Sequence, residues 1–202
     1  MLSRIKDGAT FLDAGCCFGY VLRQLASDGA PAGNLVGSDL RQEYIDLGYE
    51  LFRDRATFGA RFLAGDMLAA SDLALAPLDG TVDIIHAASF FHLFSWADQV
   101  RLGARLVRFF KADAEPALVF GRQRGARETL PREGRQAEEL ARYDHNPATL
   151  QELWDEIGAT TGTRWRVDAR LEDESWGEGN NRVTIKFAVY RLGGALIDGG
   201  SS

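Results

Sequence analysis

Residues 11–40 read FLDAGCCFGYVLRQLASDGAPAGNLVGSDL, and this stretch decides the fold. The run entering it, Ala9 to Ala14, is apolar on both faces and stops at a glycine, the pattern of a buried parallel strand. Tyr20 to Ser27 then places Val21, Leu22, Leu25 and Ala26 at helical spacing, and Gly29 and Pro31 end that helix. Asn34 to Leu40 is a second short strand. Strand, glycine turn, helix and strand in that order form a βαβ unit, which needs a parallel sheet.

Downstream the alternation continues. Glu43–Phe52 reads as a helix, Arg61–Leu63 as a third strand ending at Gly65 and Asp66, and Thr81–Ala87 as a fourth. Trp96–Phe110 is a longer amphipathic helix and Ala117–Gly121 a fifth strand. Arg122–Arg142 is rich in Arg, Glu and Gln and reads as a solvated loop, with room for a helical piece. Asn146 as cap and Pro147 at the first helical position open another helix, expected to stop at Gly158. Trp165–Leu171 and Arg182–Arg191 are two strands around an acidic loop, Glu172–Asn181. Having no helix between them, they imply an antiparallel strand at the end of the sheet. The expected architecture is α/β and Rossmann-like: seven strands, mostly parallel with the last antiparallel, and helices on both faces. One domain spans 1–192, with a flexible tail over 193–202.

The chain has 202 residues, 46% hydrophobic and 26% charged, and a net charge of -6. That composition excludes wholesale disorder, and the acidic balance argues against nucleic-acid partners. No apolar run approaches the roughly 18 residues of a membrane span, so no membrane partner is expected and a cytoplasmic location is the default. Cys16 and Cys17 are adjacent, with no other cysteine. They make neither a disulfide framework nor a zinc cage, and no metal is expected.

In open α/β sheets ligands bind at the carboxyl ends of strands. Those ends carry Asp13 to Gly19, then Asp39-Leu40, Asp66-Met67, Ala87 to Ser89, and Gly121-Arg122. Gly15 and Gly19 suit a tight turn beside a ligand, Asp39 suits ribose hydroxyls, and Asp66 suits an adenine amine. The dinucleotide fingerprint G-x-G-x-x-G fails, because Cys17 and Tyr20 stand where glycines belong. The loop instead reads D-x-G-x-x-x-G from Asp13. A leading carboxylate favours a cationic ligand over a pyrophosphate, hence S-adenosylmethionine over NAD.

The strings LDAGCCFGYVLRQLASDGAP, LVGSDLRQEYIDLGYELFRDR, DIIHAASFFHLFSWADQV and LVFGRQ resemble class I S-adenosylmethionine-dependent methyltransferases over nearly the whole length. Within that class they look like the fungal enzymes of meroterpenoid and related secondary-metabolite pathways, some of which methylate a carboxyl group. The resemblance implies cofactor contacts from Asp13, Gly15, Cys17, Gly19, Asp39, Leu40, Asp66, Met67, Leu68 and Ala87. It also implies an N-terminal cover ahead of the first strand, which is expected to be missing here.

The implied reaction is O-methylation of a small hydrophobic acid or phenol by a monomer or homodimer. A carboxyl acceptor, with a reference pKa of about 4, needs no base; a phenol, at about 10, gains from one. Phe91, His92, Trp96 and Arg122 are the candidate substrate contacts, with His92 the catalytic candidate and Arg122 placed to pair with a carboxylate. His86, inside the fourth strand, reads as structural. Two rival readings remain at this stage: a non-catalytic remnant that binds cofactor or a partner, and an NAD-dependent oxidoreductase.

Overall fold

The computed structural model describes residues 1–69, 73–114, 116–128, 142–175 and 181–193. The apolar run of the opening stretch forms β1 (Phe11–Ala14), buried along its whole length. Gly19 caps α2 (Tyr20–Ser27), which leads to β2 (Leu35–Asp39). Then follow α3 (Gln42–Phe52), β3 (Arg61–Ala64), β4 (Ile84–His86), α4 (Trp96–Phe109) and β5 (Leu118–Arg124). The last elements are α5 (Pro147–Thr161), β6 (Trp165–Ser175) and β7 (Asn181–Arg191). A short helix, α1 (Leu2–Lys6), which the sequence reading did not anticipate, precedes them all.

The strands form one sheet in the order β3-β2-β1-β4-β5-β7-β6. β7 lies between β5 and β6, antiparallel to both, so six strands run one way and one the other. Order reverses at β1, whose neighbours are β2 and β4; that is the switch point where ligands enter such sheets.

Two cores flank the sheet. On one face α4 and α5 press Leu102, Leu106, Phe109, Leu153 and Trp154 onto Leu12, Ile85, Val119, Ile185 and Val189. On the other, Ile5 of the first helix and Leu22 and Leu25 of α2 cover Phe11, Leu35 and Ile84. α3 joins this second face through Tyr49, which meets the Phe62 ring edge-on at 5.4 Å. The helices therefore divide between the two faces, as the alternating pattern requires.

Three boundaries differ from the sequence reading. β5 does not end at Gly121 but runs through Arg122, Gln123 and Arg124, because β7 pairs with it over that length. The acidic loop is shorter than expected, since β6 and β7 continue pairing out to Ser175 and Asn181. α5 passes through Gly158 and stops at Gly162, whose φ of +67° supplies the left-handed cap. Its start is as read: Asn146 accepts a hydrogen bond from the Thr149 amide, and the Thr149 hydroxyl accepts one from the Asn146 amide. The remainder of the expected 122–142 loop, at 129–141, the middle of the acidic loop at 176–180, and the tail from 194 lie outside the described residues.

Candidate cofactor and acceptor site

The Gly15–Gly19 turn follows β1 and is held to β2, as the Gly15 and Cys16 amides both donate to the Ser38 carbonyl, at 2.8 and 2.9 Å. Gly15 has φ +74°, and a Cβ there would stand 2.8 Å from the Phe90 ring; at Gly19, φ +67°, it would stand 2.6 Å from Phe62. Both positions exclude a side chain sterically and conformationally. Cys17 is also left-handed, with φ +50°. For a residue with a Cβ that costs roughly 1–2 kcal/mol. The conformation aims the Cys17 N–H at Asp39, whose Oδ2 accepts it at 2.8 Å. The other oxygen, Oδ1, accepts from the Arg41 amide at 3.0 Å. Thus the Asp39 carboxylate, at the end of β2, is fixed by backbone donors on two sides.

The other strand ends fall into place around it. Asp66 is exposed, and its Oδ1 accepts from the Leu68 amide at 2.8 Å. Leu40 is 67% exposed, an apolar surface beside Asp39. Met67 and Leu68 turn inward against the larger core, and Ala87 is fully buried with its amide bonded to the Phe120 carbonyl. Cys16 is buried, and burial together with the charges of Asp13 and Asp39 pushes its thiol pKa well up, so it stays a protonated packing group.

Asp13, expected from the sequence to face the cofactor, is instead engaged within the fold. It is 4% exposed, and its Oδ1 lies 2.8 Å from His86 Nδ1 on β4. The pairing follows from strand register, which sets Asp13 opposite His86. His86 also stacks near Phe11 and lies 5.0 Å from the Phe120 ring.

The acceptor-side candidates separate. Arg122 lines a cleft of about 520 Å³ on the α2 side of the sheet, shared with Tyr20, His86 and Lys186. Phe91, His92 and Trp96 do not line it. Phe91 is 1% exposed and packs on Trp154, so it belongs to the core. Trp96 donates its indole N–H to Glu156 and meets Tyr143 edge-on, tying α4 to α5 and to the segment before it. His92 is half-buried, with Nδ1 enclosed and unpartnered, and desolvation lowers its pKa despite the opposing charge of Asp144. His145, fully buried, joins Gln99 and Thr149 in a structural network. Sequence reasoning passed over His86 and Lys186 as site residues; the polar His inside an apolar strand was the available signal for the first.

Among the described residues no helix is long and apolar enough to cross a membrane, and no group of three His, Cys, Asp or Glu could hold a metal. The groups at these strand ends do fit a nucleoside. Fixed carboxylates at Asp39 and Asp66 can accept from hydroxyl and amine groups, Leu40 offers a flat apolar face, and Gly15 leaves backbone bare.

A family profile described as a methyltransferase domain matches residues 11–113. The O-methyltransferase atr3 of Stereocaulon alpinum is 42% identical over 201 residues, covering 95% of this chain and 57% of that protein. The O-methyltransferase phiE of a fungal species is 40% identical, over 87% of this chain and 59% of its own length. The methyltransferase trt5 of Aspergillus terreus is 36% identical, over 97% and 68%. The chain thus spans under three fifths of the first two relatives. Among solved structures, a SAM-dependent methyltransferase from Methanosarcina mazei superposes with a TM-score of 0.63 at 17% identity, covering 91% of this chain and 92% of that one. The [4+2]-cyclase SpnF superposes at 0.62 with 14% identity, over 95% and 81%.

Proposed function

Because this chain belongs to the methyltransferase-domain family and carries its class I fold, we propose that it is an S-adenosylmethionine-dependent O-methyltransferase acting on a small hydrophobic metabolite. The observation that carries the reading is the Asp39 carboxylate, fixed by the Cys17 and Arg41 amides beside a turn stripped of side chains at Gly15. In this reading Asp39 accepts from the ribose hydroxyls and Asp66 from the adenine amine, while Leu40 packs on the ring. Met67 and Leu68 contribute through backbone, since their side chains turn inward, whereas Ala87, fully buried with its amide bonded to the Phe120 carbonyl, does not reach the ligand as the sequence had suggested. The bound cofactor supplies a methyl group activated by its sulfonium. The chain's part is to orient the acceptor and keep water from it.

The acceptor is a carboxyl or phenol group. The atr3 and phiE proteins are named as O-methyltransferases, and their likeness over most of this chain supports oxygen as the nucleophile. Isothermal titration with S-adenosylhomocysteine tests the reading. The wild-type chain is expected to bind at micromolar Kd and Asp39→Ala at least tenfold more weakly, while keeping the wild-type circular dichroism spectrum and a cooperative unfolding transition. Equal affinity of the variant sinks the site, and no binding by the wild type sinks the function.

A further inference from the structure

The cleft beside the cofactor turn has a composition that the cofactor does not explain. Its floor is apolar where Phe11 and Phe120 lie, 6.3 Å apart by ring centroid, and His86 completes a three-ring cluster with them at 6.2 and 5.0 Å. Its far wall is cationic: Arg122 on β5 stands opposite Lys186 on β7, and Arg170 on β6 stands opposite Lys186 from the other side. Two cations facing each other across a strand pair repel. One carboxylate, Glu172, answers both Lys186 and Arg170, at 2.6 and 2.8 Å. Asp168 is the acidic residue on the lining itself.

His86 is oriented as well as placed. An ionised carboxylate only accepts, so the Nδ1 that meets Asp13 carries the proton. In the neutral ring Nε2 then holds a lone pair, on the edge away from Asp13. A volume of about 520 Å³ suits a ligand of one or two fused rings.

Resting on the methyltransferase reading, we propose that this cleft is the acceptor site and that it takes an organic anion with a flat apolar body. Arg122 and Lys186 pair with its charge, and His86 Nε2, set by Asp13, accepts the hydrogen bond of its hydroxyl. His86 therefore replaces His92 as the imidazole that faces the acceptor.

The test is binding, not turnover, on the 202-residue chain. Titration with 6-hydroxy-2-naphthoate, followed by calorimetry and by amide shifts, is expected to perturb β4, β5 and β7. Arg122→Gln combined with Lys186→Gln should weaken it at least tenfold and leave the uncharged 6-hydroxy-2-naphthamide unaffected. His86→Phe should weaken 6-hydroxy-2-naphthoate several-fold more than 2-naphthoate, which lacks the hydroxyl. S-adenosylhomocysteine affinity, measured in parallel, should be the same in the Arg122/Lys186 variant, so that failure of the cofactor site shows separately. Absence of naphthoate binding, shifts confined to other elements, or equal affinity in the charge-removed variant each overturns the proposal. Coincident urea midpoints establish that the variants fold.

Discussion

Desolvation of the His92 imidazole lowers its pKa, so the fold favours the neutral ring. The sign of the pH effect follows. The unfolded chain binds a proton near the ordinary value of about 6.5, and the folded chain resists it until lower pH. The contribution of His92 is therefore complete above that value and is lost as pH falls through the interval below it. Replacing it by Gln should shrink the difference in urea midpoint between pH 7.5 and 5.5. An unchanged difference would place the titration elsewhere. The partial desolvation that lowers the His92 pKa makes it a stability sensor. His86 differs because its polar partner, Asp13, comes from the next strand.

At the scale of elements, Arg23 of α2 holds the Gly15–Gly19 turn. Its guanidinium pairs bidentately with Asp54, at 2.7 and 2.8 Å, and also donates to the Phe18 and Gly19 carbonyls of the turn. The rings of Phe52 and Phe58 lie 4.4 and 4.8 Å away. A lysine cannot reproduce that planar fork, so Arg23→Lys should cost about 2 kcal/mol in urea unfolding and weaken S-adenosylhomocysteine binding. Stability lost with affinity intact would separate Arg23 from the turn. The elements themselves were legible wherever local pattern decided them: β1 and its glycine turn, the α2 boundaries, the Asn146-Pro147 start of α5. What escaped was long-range. The extension of β5 to Arg124 depends on β7, which lies far along the chain, and its residues Arg122 and Arg124 look like loop until a partner strand is given. Glu172 and its neighbours likewise read as solvent because one face of the β6–β7 pair is charged, with Glu172 bridging Arg170 and Lys186. The Asp13–His86 contact needs β1 beside β4, and no local spacing reports strand order. The positions of Asp39, the last residue of β2, and of Asp66, just beyond β3, were legible because each lies at the carboxyl end of its own strand.

For the molecule as a whole, stability is divided unequally between the two faces of the sheet. The larger core centres on Trp154, fully buried, with Trp165 5.0 Å and Phe91 6.3 Å away by ring centroid. Trp154→Ala should cost about 3–5 kcal/mol by denaturant unfolding. The Gly15–Gly19 turn, where we propose the cofactor binds, sits at the strand ends, built on the other face's helix, so the fraction that stays folded should bind S-adenosylhomocysteine as before. A matching loss of affinity would mean that the two faces do not act separately. The placement of β7 between β5 and β6 has a further consequence, for biosynthesis. Order of synthesis and order in the sheet disagree here, as they also do where β1 meets β4. β5 leaves the ribosome with one edge open, and β6 emerges with no neighbour to pair with. Both wait for the last of the seven strands, and open edges recruit strands from other chains. A premature stop within 181–191 therefore yields an aggregating product instead of a slightly shorter protein.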